Sequence, residues 1–403
     1  MSDRLILNAA AFLRAIATGL MGVLLGIYLD KLAFTPADIG LVIGSGLTGA
    51  ALSTLIVTFL GDRLGRRRSL LVIGAASAAG GLALIVTSSL PAVCVVAFIG
   101  MVNGMGRDRG ASLVMEQAIL PGTILPEQRT RAFAWYNVLQ DMGHALGGVL
   151  AALPVLLRES FDVDVLASFH ATVAVYAGLL VLSVLLYAGL SPTAEAYKPS
   201  VSVKLAPQSH RILWKLSALF ALDSLAGGFL GTALLAYFFY QRFAVDEATI
   251  AILFFCARTA NAASHFGAAW LAARIGLVNT MVFTHIPSSI LLMTVPFAPS
   301  FAVAALLFLL REGLVEMDVP TRQSYVMAMV RPEERTFASG VTHLVRMGGW
   351  ATAPFFAGFL MQGLALATPL LIGAGMKIVY DIALYKAFRH IKPPEERLQG
   401  PFF

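Results

Sequence analysis

The segment Gly61-Asp62-Arg63-Leu64-Gly65-Arg66-Arg67-Arg68 packs five charges into eight residues, between two long apolar stretches. Asp62 falls where the preceding helix ends, and the helix dipole disfavours an anion there. It therefore needs a partner, and the exposed N–H groups at the start of another helix would serve. Gly65 permits a tight turn. A short basic loop between two apolar runs has the form of an inside turn of a membrane protein.

The composition agrees. Of 403 residues, 58% are hydrophobic and 13% charged, against about 45–50% and 25% in soluble domains. Too little charge is present to wet a folded surface. Disordered, collagenous and disulfide-rich classes are excluded on the same grounds. The net charge of +6 sits in short loops, so it is no nucleic-acid footprint. Cys94 and Cys256 lie inside apolar runs and read as small buried hydrophobes.

A membrane helix needs about 20 mostly apolar residues. Twelve such runs are present, at roughly 5–29, 37–61, 69–89, 92–118, 132–156, 166–190, 211–240, 247–274, 278–297, 301–328, 336–362 and 365–388. With the N-terminus in the cytoplasm, the inside loops hold Arg63, Arg66, Arg67, Arg68, Arg129, Arg131, Lys198, Lys204, Arg211, Arg274, Arg331 and Arg335. The outside loops hold only Lys31, Arg158 and Arg242. This asymmetry places both termini in the cytoplasm of a plasma (inner) membrane.

The chain is written twice. Pro126-Glu127-Gln128-Arg129-Thr130 recurs as Pro332-Glu333-Glu334-Arg335-Thr336. Phe59-Leu60-Gly61-Asp62-Arg63-Leu64-Gly65 recurs as Trp270-Leu271-Ala272-Ala273-Arg274-Ile275-Gly276, and Tyr28 answers to Tyr237. The longest polar link separates an N-terminal six-helix half, 1–190, from a C-terminal one, 211–403, with 191–210 as a cytoplasmic linker. The fold expected is all-α: 12 transmembrane helices in two pseudo-symmetric halves. Repeated halves with a site at their interface are how many secondary transporters are built.

Asp62-Arg63-Leu64-Gly65-Arg66-Arg67 resembles the signature loop of the major facilitator superfamily (MFS), Asp-Arg-x-Gly-Arg-Arg, although Thr58 stands where that family usually has glycine. The resemblance implies that spans 1, 4, 7 and 10 surround a central cavity. It also implies a cytoplasmic gate of Asp62, Arg63, Gly65, Arg66, Arg67 and Glu116. In that gate Asp62 would meet the start of span 11 near Thr336, and Arg63 would meet Glu116. Gly143-His144-Ala145-Leu146-Gly147-Gly148 resembles the Gly-Pro-x-x-Gly-Gly element of the family's antiporters, with His144 in place of proline. These glycines let span 5 approach a neighbouring backbone closely.

Ionisable groups inside spans are costly and face a cavity or a partner. The substrate and proton pathway is expected to use Arg14, Asp223, Arg107, Asp108, Arg109, Asp141, His144, Arg311, Glu312, Asp318 and Arg322. Arg14 and Asp223 are repeat equivalents of opposite sign and could pair directly or through substrate. Arg109 and Glu116, seven apart, would share a helix face. Arg311, Val315, Asp318 and Arg322 would form a stripe on span 10, with a kink at Pro320. Asp141 and His144 would share one face, and either could carry a coupling proton. His265 and His285 read as packing residues, and Lys377 with Asp381 as an i,i+4 pair.

No phosphate-binding loop or zinc spacing is present, so no cofactor, metal or enzymatic activity is expected. The expectation is a monomeric, proton-coupled secondary transporter for a small polar or charged solute, working by alternating access in the lipid bilayer, with no nucleic-acid partner. No sodium site can be read from the sequence. The alternatives are proton-coupled multidrug efflux and a non-transporting receptor or scaffold on the same fold.

Overall fold

A computed structural model describes residues 2–123, 129–195, 207–331 and 334–391. The described residues form helices α1 Asp3–Lys31, α2 Pro36–Leu64, α3 Arg66–Val86, α4 Leu90–Gly100, α5 Ala111–Ile119, α6 Arg129–Leu150, α7 Leu153–Phe161 and α8 Val165–Ala188. They continue with α9 Pro207–Phe229, α10 Thr232–Phe243, α11 Glu247–Ile275, α12 Leu277–Thr294, α13 Phe301–Val315, α14 Asp318–Met329, α15 Arg335–Gly363 and α16 Thr368–Phe388. Among the described residues, seven segments are long and apolar enough to cross a membrane by length and composition. The sixteen helices fall at the twelve expected spans, because four spans are each broken in two: 4 (α4, α5), 5 (α6, α7), 7 (α9, α10) and 10 (α13, α14).

The duplication is visible in the backbone. Gly65 and Gly276, repeat equivalents, both turn the chain between helices with positive φ, 92° and 85°. Only glycine takes that conformation without strain. Thr35 caps α2 through the amide of Asp38, and Asp246, 211 residues on, caps α11 through the amide of Thr249 at 2.7 Å. The side-chain and backbone hydrogen bonds from Thr249 hold the Asp246 carboxyl below its ordinary range. Cys94 and Cys256 are both free and only half-buried, so neither is the fully buried hydrophobe expected.

The chain divides into two compact units, and these differ from a simple halving. One unit holds residues 1–199 and adds 231–255 and 354–366; the other holds 200–230, 256–353 and 367–403. The first is built around α1, buried over nearly its whole length and packed on α6, α8 and α10. At one end of this unit, segments from both sequence halves meet. Lys31 bonds the hydroxyl of its repeat equivalent Tyr240, Gln241 donates to Asp30 at 2.7 Å, and Arg158 pairs with Glu247 at 2.7 Å. The second unit gathers α9, α12, α13, α14 and α16 around a core that includes Leu216, Phe220, Tyr325 and Tyr380.

Two of the three span-5 glycines, Gly143 and Gly147, approach the backbone of α1 closely, and Gly148 does not. A Cβ on Gly147 would overlap the Ile16 carbonyl of α1 and lie 2.7 Å from the amide of Leu20. Both are helix backbone, which cannot give way cheaply. Gly147→Val is therefore expected to cost about 3 kcal/mol or more and to abolish a monodisperse peak on size-exclusion chromatography. Gly148→Ala, where the nearest atom is 4.0 Å away, should be tolerated.

Candidate functional site

Span 4 supplies the first half of the site by failing to be a helix. Gly104, Gly106 and Gly110 fall within seven residues, and glycine is the poorest helix former after proline. Residues 101–110 are unwound. Backbone at membrane depth must be paired within the protein, and here it is. Asn103 donates to Arg107 O and accepts from Met105 N, both at 2.7 Å. From α10, Ala233 N donates to Gly104 O at 2.9 Å and Thr232 Oγ1 to Met105 O at 2.8 Å. Arg109 precedes the first residue of α5, so it shares no helix face with Glu116.

The unwound segment delivers Asp108 to Arg14 of α1. Arg14 Nε donates to Asp108 Oδ2 at 2.5 Å, and its two terminal nitrogens grip Glu116 of α5 at 2.8 and 2.7 Å. Glu116, fully buried, also accepts from Tyr136 at 2.5 Å and Tyr187 at 2.6 Å. It is thus bound to Arg14 inside the first unit and does not wait for Arg63, which is exposed. The pull is electrostatic: a buried carboxylate takes the nearest desolvated cation over a solvated one. Beside it, Asp108 N donates to His144 Nε2 at 2.9 Å. An accepting ring nitrogen carries no proton, so His144 is neutral in this arrangement. Asp141 is exposed on α6, unlike the buried His144 three residues on.

The second unit carries its own cluster. Asp223 of α9 accepts from Arg346 of α15 and Lys377 of α16, each at 2.9 Å, with Arg322 of α14 at 3.6 Å. Arg322 also bonds Asp318 one turn earlier. Lys377 lies 3.3 Å from His285, which meets Asp381 at 3.0 Å. Arg14 and Asp223 thus each find counter-charges within their own unit.

The break in span 10 falls at Glu316–Met317. Pro320 has no N–H to give the Glu316 carbonyl, and Val319 N takes it at 3.3 Å. The stripe expected on this span is therefore split. Arg311 pairs with its neighbour Glu312, and Asn261 of α11 donates to Glu312 at 2.8 Å.

Sequence reading misses Tyr136, Tyr187, His285, Lys377, Asp381 and Asn261 as members of these clusters. Spacing matches Lys377 to Asp381, yet its long side chain reaches Asp223 and leaves Asp381 to His285. Arg107 and Arg109 are half-buried beside Asp108. At the basic loop, Arg66 donates to Ala118 O at 3.0 Å and Arg67 to Ala188 O at 2.5 Å, tying the loop to spans 4 and 6. The side chains of Asp62 and Thr336 lie outside the described residues.

Comparison with known proteins gives concordant findings. The model of the Major Facilitator Superfamily matches residues 7–354. An uncharacterized membrane protein of Saccharomyces cerevisiae, YJR124C, is 24% identical over 416 residues, covering 95% of this chain and 93% of its own. The crystal structure of the nucleoside transporter NupG superposes with a TM-score of 0.75 at 17% identity, over 96% of this chain and 100% of that one. A bacterial homologue of the human lysosomal transporter Spinster, inward-facing, gives 0.70 at 16% identity, over 96% and 94%.

Proposed function

Because the chain belongs to the Major Facilitator Superfamily, we propose that it is a proton-coupled secondary transporter that moves a small polar or charged solute by alternating access. Membership and fold make it an integral membrane transporter and not an enzyme. The observation that carries the finer reading is the pair of buried ionic clusters. Each recruits a span that is broken at cluster depth. A carrier of apolar solutes would have no use for charges that cost this much to bury. Broken helices let a polar site form at membrane depth and let its walls move.

The ends of spans 1, 2, 5, 7, 8 and 11 are joined within one unit. The basic loops mark the cytoplasmic side, with both termini cytoplasmic in the plasma (inner) membrane. The protein works as a monomer. The basic loop serves as the inner gate, with Gly65 making the turn and Arg66 and Arg67 anchoring it.

His144 carries the proton in this scheme. Taking a proton at Nε2 would remove the acceptor of the Asp108 amide, and the unwound segment would lose one of its ties. His144→Gln is expected to lose pH-gradient-driven accumulation while keeping solute counterflow in liposomes. Asp141→Asn, changing an exposed group, should keep both. Retained accumulation in the His144 variant would move the proton to another group, with Asp223 and Glu312 the next to test.

A further inference from the structure

Near the middle of α16, Lys377 and Asp381 lie one turn apart, and His285 from the middle of α12 bridges them. Asp381 is 0% exposed, His285 1% and Lys377 8%. His285 Nδ1 lies 3.0 Å from Asp381 Oδ1, and its Nε2 lies 3.3 Å from Lys377 Nζ. Lys377 also donates to Asp223 Oδ1 at 2.9 Å.

The donors and acceptors along this line fix each hydrogen. An ammonium has hydrogens to give and no lone pair, so His285 Nε2 accepts from Lys377. The ring's Nδ1–H then donates to Asp381 Oδ1, and the ring is neutral. The other oxygen, Asp381 Oδ2, has no hydrogen-bond partner among the described residues. Buried carboxylates are ordinarily held by donors, and an unpartnered one carries its full desolvation cost. A proton removes most of that cost, because a neutral acid is far cheaper to bury than its anion.

The surrounding helices bring further charged and titratable groups: Asp223 of α9, Asp318 and Arg322 of α14, Arg346 of α15, Tyr380 of α16 and Glu316 at the break in span 10. On α13, Arg311 and Glu312 bond each other. Asp223 is met by Arg346 and Lys377, and Asp318 by Arg322. Among the described residues, Asp381 meets only the neutral His285. It is therefore the acid of this cluster that gains most from a proton.

We propose that Asp381 binds a proton, delivered through Lys377 and His285, and that its occupancy releases Lys377 from His285. Lys377 gives one hydrogen to His285 Nε2, the ring gives its Nδ1 hydrogen to Asp381 Oδ1, and a proton from water restores the ammonium. One proton is gained, and only N–H and O–H bonds change. His285 is neutral before and after, on opposite tautomers. Its Nε2–H then meets Lys377 donor against donor, so that contact is lost and Lys377 keeps Asp223 alone. The site lies in the second unit and depends neither on His144 nor on whether the chain moves a solute.

Infrared difference spectra of the purified full-length protein in proteoliposomes, taken as the buffer goes from mildly alkaline to mildly acidic, test the end point. The parent should gain the carbonyl band of a protonated, buried carboxyl, and Asp381→Asn should lose that band. A parent without the band, or an Asp381→Asn protein with all of it, would overturn the proposal. NMR of protein with isotope-labelled histidine nitrogens tests the route and needs no change at Asp381. Over the same pH change one neutral ring should exchange the nitrogen that bears its hydrogen, and its signal should be missing from His285→Gln. A His285 ring that keeps its tautomer, or becomes an imidazolium, would also overturn the proposal.

Discussion

Arg14→Met is expected to destabilise the protein by about 3–5 kcal/mol, the cost of removing one partner from a buried ion pair. Methionine keeps most of the volume, so little of the loss comes from packing. Glu116, with no solvent exposure, would keep two tyrosine hydroxyls but no counter-charge. Asp108 would lose its 2.5 Å contact as well. The triple variant Arg14→Met, Asp108→Asn, Glu116→Gln removes the charges together and should be more stable than the single variant. Thermal unfolding in detergent, read by intrinsic fluorescence, gives both numbers. An Arg14→Met protein as stable as the parent would show that the cluster is hydrated and loosely held.

Asp223→Asn should have an effect of similar size, about 3–5 kcal/mol, for the opposite reason. It leaves the shape intact and strands cations. Arg346 and Lys377 lose their shared acceptor, and Arg322 keeps only Asp318. Adding Lys377→Met to Asp223→Asn should recover part of the loss, because one stranded charge goes with it. The exchange Arg14→Asp with Asp223→Arg should not rescue either single change. Each residue answers to partners in its own unit. The exchange would set a third carboxylate on α1 against Asp108 and Glu116, and a fourth cation on α9 among Arg322, Arg346 and Lys377.

That last expectation departs from what the sequence suggests, for a physical reason. Repeat position pairs Arg14 with Asp223, and each stands in a buried ionic cluster. It does not say what each will touch. Spacing along one helix is equally silent. Lys377 and Asp381 are well placed for each other, yet the long side chain of Lys377 reaches Asp223 on α9, and Asp381 is taken by His285.

The all-helical membrane fold was legible because bilayer thickness imposes a length on every apolar run. The turns at Gly65 and Gly276 were legible because the loop repeats. The breaks in spans 4 and 7 were not, since glycine in a membrane helix serves close packing as often as unwinding. Gly147 packs, whereas Gly104 and Gly106 lie in unwound chain, and no local signal separates them. Glu116 was legible as a buried acid but pairs with the buried Arg14 and not with Arg63, the cation the loop resemblance implied.

The central claim is that this chain couples proton movement to the transfer of a polar solute. Proteoliposomes holding the purified protein and an entrapped pH dye test it, with nucleosides, organic anions, organic cations and amino acids offered in turn from outside. The account predicts that at least one class evokes proton flux that scales with the pH gradient, and that His144→Gln abolishes that flux while exchange of the same solute persists. Tight binding of a solute with no proton flux and no exchange would contradict it and would leave a receptor on a transporter fold.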